Sequence, residues 1–324
     1  MRKGNTITLN TLRPNAVRMN GQPWAPGGPA VGGGGIVPLP PTEPEEPEPE
    51  DPEVPETPPA GKYLVFEDPE AERVLMSKGV SSDGVGITLE DAARVTSISQ
   101  WFKDNTSLTS FNELKYFTKV TQLDGNAFYG CTALRSIDTS NIVTAKYGIF
   151  QGTTALNKAM EFEKLAGTIG QSAFRYSAIT ALIVPNAAAC EANMCESCPS
   201  LASVDFRSAV TFGNYGFQRC PNLVEANISS AVTLGKQAFY DCTSLENIEV
   251  PSTTTSIGEA CFMNCSALQS VIVRATTPPS LGTRVFQGTT CPIYVPDASV
   301  EAYKTATNWN SYTSRIKPLS EYNG

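Results

Sequence analysis

Four octapeptides decide the fold: AFYGCTAL at 127–134, GFQRCPNL at 216–223, AFYDCTSL at 238–245 and CFMNCSAL at 261–268. Each sets a phenylalanine, a cysteine three residues later and a leucine three beyond that. Weaker copies read IFQGTTAL (149–156), AFRYSAI (173–179, one residue short), MCESCPSL (194–201) and VFQGTT (285–290). The aromatic column is therefore Phe128, Phe150, Phe174, Cys195, Phe217, Phe239, Phe262 and Phe286, at spacings of 22, 24, 21, 22, 22, 23 and 24 residues. Five residues ahead of each lies a second apolar column: Leu123, Ala145, Ile169, Cys190, Phe212, Leu234, Ile257 and Leu281. Three residues past the leucine column comes a strand position, held by Ile137, Val204, Ala226, Ile248 and Val271. Independent columns that keep phase over eight copies are the mark of an internal repeat.

A period in the twenties is the size of a leucine-rich repeat. No single turn can bury its apolar side, so each must stack on the next. The expected fold is an α/β repeat: a leucine-rich-repeat solenoid of about eight turns of 21–24 residues. A small N-terminal cap and an extended N-terminal tail precede it, and the strands form a parallel sheet along one face.

The repeat also accounts for the cysteines. Cys131, Cys198, Cys220, Cys242 and Cys265 share one column, where Thr153, Ser177 and Thr289 stand in other copies, and Cys190 and Cys195 occupy two further inward columns. Free cysteine acts as a small hydrophobe and is commonly buried. The rival reading is a disulfide or zinc cluster from Cys190, Cys195 and Cys198, whose spacing looks metal-like. No metal or cofactor is expected.

The chain of 324 residues contains no histidine, which removes Ser-His-Asp and Cys-His mechanisms and histidine-ligated metals. Its net charge of −8 is local: the eight acids between Glu43 and Glu56 leave 24 acids against 24 bases elsewhere. No basic surface is expected to hold nucleic acid. No run approaches the roughly 20 apolar residues of a membrane helix, so membrane insertion is not expected. The charged start is followed by no apolar stretch of a signal peptide.

Along the chain, residues 1–25 read as a docking peptide or a disordered tail. Thr6, Ile7, Thr8 and Leu9 alternate as an added strand would, with Arg13, Arg18 and Trp24 beside them. Residues 26–60 are linker, Gly/Pro-rich and then acidic and Pro/Glu-rich. About 22 residues in polyproline geometry, at ~3.1 Å each, span roughly 70 Å. Residues 61–118 form an N-terminal capping module. Tyr63–Phe66 reads as a strand, and Asp68–Pro69 opens a helix with an aspartate cap and proline at its first position. Thr88 caps a second helix with Asp91 at the capping-box position, and Ser110–Glu113 reads as a helix start. Trp101, Phe102, Phe111, Leu114, Tyr116 and Phe117 cover the first repeat. Residues 119–296 are the repeats and 297–324 a C-terminal cap.

The repeats resemble the BspA-type leucine-rich repeat, approximately I-G-x-x-A-F-x-x-C-x-x-L-x-x-I-x-I-P. Ser256-Ile257-Gly258 through Pro278 follows it, and Leu245–Pro251 matches its strand half. The resemblance covers residues 120–296. Ile293–Pro296, Ser299–Lys304 and Trp309 resemble the family's C-terminal cap, and 64–117 resembles the segment often found before such repeats in gut anaerobes and their phages. Some relatives carry a calcium loop there. Here Ser81–Thr88 keeps one acid, Asp83, and one carboxylate makes a poor calcium site. The resemblance implies surface adhesion to proteins, cells or glycans.

No paired carboxylates or phosphate-binding loop point to catalysis, so a binding protein rather than an enzyme is expected. The ligand candidates flank the strand column: Arg135, Asp138, Asp205, Arg207, Glu225, Asn227, Glu246, Glu249, Gln269 and Arg274. The functional expectation is a virion-associated phage structural and adhesion protein. Residues 1–25 would dock into a larger virion protein of capsid or tail, and the repeats would present themselves to a host-surface protein or glycan. The alternatives are a bacterial cell-surface adhesin exported by a non-standard route, and an intracellular scaffold.

Overall fold

A solenoid turn of this length makes two straight passes, and the backbone N–H and C=O groups of both need partners. A computed structural model, which describes residues 61–323, meets that need on two faces rather than one. The proposed docking peptide and linker lie outside the described residues.

The first face corrects the single-sheet expectation. The column five residues ahead of the aromatic position forms an eight-stranded parallel sheet, although each strand has only two residues: Gln122–Leu123, Thr144–Ala145, Thr168–Ile169, Ala189–Cys190, Thr211–Phe212, Thr233–Leu234, Ser256–Ile257 and Ser280–Leu281. In each the second residue is buried. On the opposite face the expected strand column runs through ten strands in three parallel sheets. Ser110–Phe111 pairs with Ser136–Ile137. Ala159–Glu161, Ala181–Ile183, Ser203–Asp205 and Glu225–Asn227 form the second sheet. Asn247–Val250, Ser270–Val273, Ile293–Val295 and Ile316–Pro318 form the third.

Between the faces the aromatic column stacks ring on ring. Phe102, Phe128, Phe150 and Phe174 follow at centroid distances of 5.4, 5.4 and 5.6 Å. Phe217, Phe239, Phe262 and Phe286 follow at 5.1, 5.4 and 5.7 Å. The ladder breaks only at Cys195, and there Phe206 and Phe212, 6.1 Å apart, lean toward Phe217.

All nine cysteines are free and buried. In the shared column each Sγ donates to the carbonyl of the aromatic-column residue one turn earlier. Cys131 reaches Phe102 O (2.9 Å), Cys198 Phe174 O (2.9 Å), Cys220 Cys195 O (3.1 Å), Cys242 Phe217 O (3.2 Å) and Cys265 Phe239 O (3.1 Å). Thr153 and Thr289 donate instead to the carbonyl of their own turn. The column therefore requires a small buried donor, which explains why Cys, Ser and Thr interchange there. Burial pushes the Cys131 and Cys265 thiols up to about 12 and also raises Cys198, Cys220 and Cys242. Because the thiolate is the reactive form, burial and the raised pKa both work against reaction of these thiols in the folded protein.

Each turn bends through two left-handed residues, two positions before and two after the aromatic one. In the turn 212–223 they are Tyr215 (φ 62°) and Arg219 (φ 58°). Such a residue costs roughly 1–2 kcal/mol relative to glycine. The glycine that follows the second apolar column has a different role: a Cβ on Gly235 would lie 2.6 Å from Asn214 N and 2.6 Å from Gly213 C. Successive turns pass too closely there for any side chain.

The ends are closed by side chains. Helix α1 (Pro69–Ser77) starts at Asp68, which accepts from Glu70 N; its other oxygen accepts from Ser110 N (3.2 Å), blunting the first strand. Helix α2 (Leu89–Arg94) carries the Thr88–Asp91 capping box. Tyr63–Phe66 is not a strand. Leu64 and Phe66 point in and Val65 points out, yet within that stretch only Leu64 N finds a backbone partner, Ile87 O. Ser110–Glu113 begins as a strand and only then enters a 3₁₀ helix, Asn112–Tyr116. At the other end, helix α3 (Val300–Thr305) brings in buried Tyr303, and the 3₁₀ helix Trp309–Tyr312 brings in buried Trp309. Trp309 Nε1 donates to Pro279 O (2.8 Å) and Asn308 Nδ2 to Leu281 O (2.6 Å), so the outermost carbonyls of the eight-stranded sheet are capped. Among the described residues no helix is long and apolar enough to cross a membrane.

Candidate binding face

The broken-sheet face is where the sequence candidates fall. Register sorts them into rows. The residue after the strand position gives one row: Glu161, Ile183, Asp205 and Asn227 are aligned neighbours, and so are Glu249, Ile272 and Tyr294. Asp138 holds the same place in its own turn. The residue before the strand position supplies Glu225, the one before that Arg135, Glu246 and Gln269, and the third residue after it Arg207 and Arg274.

The structure brings some of these side chains together. Arg207 Nε lies 3.1 Å from Asp205 Oδ2, and Asn227 Nδ2 donates to Asp205 Oδ1 at 2.9 Å. One turn pair further on, Arg274 forks onto Glu249, with Nε–Oε1 at 2.8 Å and Nη2–Oε2 at 3.2 Å. The hydrogen bond from each arginine to its carboxylate holds the guanidinium above its ordinary value. Asp138 is turned inward on its own loop, accepting from Ser140 N (2.9 Å) and Oγ (2.6 Å). Arg135, Glu225, Glu246 and Gln269 are exposed and make no side-chain hydrogen bond among the described residues.

Exposed ion pairs of this kind contribute only about 0–1 kcal/mol. They can be exchanged for a partner's charges at little cost to the fold. Apart from Ile183 and the buried Ile272, the row is therefore polar, and its ion pairs are separable from the core. Sequence reasoning missed Glu161 and Tyr294, which share the same row. In the turn of Glu161 the strand residue Met160 follows its leucine-column residue Leu156 by four positions, not three, which hid its phase.

In the cap, the single acid of the Ser81–Thr88 loop is already occupied. Asp83 Oδ2 takes Lys62 Nζ (2.6 Å) and Tyr63 OH (2.8 Å), and Oδ1 accepts from Val85 N (3.0 Å). The Lys62 hydrogen bond, before the others, keeps this carboxyl far below its usual range. Cys190, Cys195 and Cys198 sit in the core columns, and no group of three His, Cys, Asp or Glu side chains among the described residues converges as metal ligands would.

The BspA type leucine rich repeat region matches this chain in six copies, over residues 95–224 and 189–302, nearly two thirds of its length. A leucine-rich repeat protein from Bacteroides ovatus ATCC 8483 is similar in structure, with TM-score 0.45 and 20% identity over 61% of this chain and 57% of that one. This chain thus spans little more than half the length of that protein. A leucine rich cell surface protein from Faecalibacterium prausnitzii A2-165 aligns with TM-score 0.32 and 19% identity, covering 70% and 69% of the two chains. A leucine-rich repeat protein from Eubacterium ventriosum ATCC 27560 gives TM-score 0.34 and 20% identity over 60% and 66%. No curated protein matches the sequence.

Proposed function

Because this chain belongs to the BspA-type leucine rich repeat family, we propose that it is a surface-displayed binding protein whose broken-sheet face meets a protein or glycan. The observation that carries this reading is the set of in-register rows, in which Asp205, Asn227, Glu249 and Tyr294 each offer one side chain per turn. A partner laid along the solenoid axis meets several turns at once, and many displayed copies add avidity. The Asp205–Arg207 and Glu249–Arg274 pairs on this face can be exchanged for a partner's charges, which suits binding.

The carrier we propose is a phage particle. Residues 1–25, with Thr6–Leu9, Arg13, Arg18 and Trp24, dock into a capsid or tail protein, and the acidic Pro/Glu segment holds the repeats away from it. Antibodies to residues 120–296, imaged by immunogold electron microscopy on a producing culture, test this. Label at fixed positions on particles is expected. Label on cell envelopes with bare particles overturns the particle reading and leaves a bacterial surface adhesin. Label confined to the cytoplasm overturns surface display altogether.

A further inference from the structure

The N-terminal cap carries an open, solvent-facing pocket of about 370 Å3 that the strand face does not involve. It lies where the ends of α1 and α2 converge, and its lining includes Lys78, Ser82, Arg94, Ser97 and Trp101. Its size is within the ~300–1,000 Å3 of small-molecule sites.

The chemistry of its wall is specific. Asp91 is buried, and its Oδ2 is taken up by Thr88 N (3.0 Å) and Thr88 Oγ1 (2.8 Å). Its Oδ1 grips Arg94, whose side chain is still 52% exposed. A buried carboxylate thus fixes a guanidinium at the pocket wall, with the exposed Glu90 carboxylate 3.7 Å from its Nη1, and its five N–H donors are not all used. Lys78 adds a second cation with no carboxylate partner among the described residues. Trp101 packs partly against the core, and its indole N–H meets no acceptor among the described residues. The pocket therefore offers the Lys78 ammonium, the remaining donors of Arg94 and an aromatic face, its lining carboxylate Asp91 being paired with Arg94 and its Ser97 hydroxyl already donated to Asp124 (2.6 Å). A bare inorganic anion would need no indole, and an apolar ligand would not require the cations.

We propose that this cavity binds an acidic saccharide residue, its carboxylate or sulfate on Arg94 and Lys78 and its C–H face on the Trp101 indole. An indole suits such a ligand, being apolar on its face and polar at its N–H. The site is independent of the strand face and stands or falls separately.

The test uses the full chain with glucuronic acid, glucose and sodium sulfate as probes, followed by NMR. The Trp101 indole resonance is assigned with Trp101→Phe. Glucuronate is expected to shift that resonance with millimolar affinity, weakening as salt rises. Glucose should bind at least tenfold more weakly, and sulfate should leave the indole resonance in place. Lys78→Glu, on an exposed side chain, should lose at least tenfold in affinity with an unchanged melting temperature. No shift with glucuronate overturns the proposal, and the two cations then serve only the helix ends. Equal binding of glucose, an equal response to sulfate, or an unaffected Lys78→Glu overturns it as well.

Discussion

Replacing Cys242 by alanine should cost more stability than replacing Cys265, although both thiols are buried in the same column. In six of the eight turns the aromatic-column carbonyl accepts the backbone N–H three residues later, as Phe239 O does from Cys242 N (3.3 Å). In the turns of Cys195 and Phe217 that bond is absent. These are the turns in which a proline, Pro199 or Pro221, follows the cysteine. A residue before proline is driven out of the α region, which opens the turn. Phe217 O is then left with the Cys242 thiol, at 3.2 Å. Removing the sulfur leaves a small void in either variant, at about 1 kcal/mol for the lost group. In Cys242→Ala it also strands a buried carbonyl, which costs about 1–3 kcal/mol. Since S–H is a weak donor, the lower half of that range applies, giving a difference of about 1–2 kcal/mol. At about 2–4 °C per kcal/mol for a unit of this size, the two melting temperatures should differ by roughly 2–8 °C. Circular dichroism melts in reducing buffer would measure it, with Cys242→Ser as a control that restores a donor. If the alanine variants melt within a degree of each other, or Cys265→Ala is the weaker, the carbonyl argument is wrong.

Gly235→Ala should destabilise by about 1–3 kcal/mol by overpacking, since its Cβ would sit 2.6 Å from the preceding turn's backbone. Gly216→Ala, whose Cβ would meet only Gly213 O at 3.4 Å, should stabilise by about 0.4–1 kcal/mol; urea titrations of the pair decide both signs. Above about pH 9 the unfolded thiols ionise while burial keeps the folded ones protonated, Cys131 and Cys265 up to about 12. The unfolded state then binds fewer protons, so the thiol contribution to stability is intact below pH 9 and is lost progressively up to about 12. Denaturant midpoints across that window should fall, and fall less steeply in Cys131→Ser/Cys265→Ser. Trp309→Ala should cost about 3–5 kcal/mol, because the indole packs 4.9 Å from Tyr303 and 6.0 Å from Phe286. Hydrogen exchange should accelerate first in Ser280–Leu281 and Ile293–Val295, with the turns near Phe128 protected.

The columns at Phe128–Phe286 and Leu123–Leu281 were legible because burial imposes the same apolar demand once per turn, and eight repetitions raise it above noise. The capping box at Thr88–Asp91 was legible because it is local: its donors and acceptors lie three residues apart. The Tyr63–Phe66 stretch misled for the complementary reason. Its alternation is that of a strand, but a strand also needs a partner, and pairing is not written in the stretch itself.

By itself the sequence determined the repeat, its period, the inward columns and the residues that flank the strand positions. Only the tertiary structure decided what those positions do. The pairing of two-residue strands into an eight-stranded sheet, the carbonyl that each thiol satisfies, and the meeting of Arg274 with Glu249 across 25 residues all depend on how one turn sits on the next. The left-handed column was hidden too, since Tyr215, Gln237 and Arg284 carry no turn signal of their own. They adopt that conformation because stacking against neighbouring turns outweighs a local cost of about 1–2 kcal/mol.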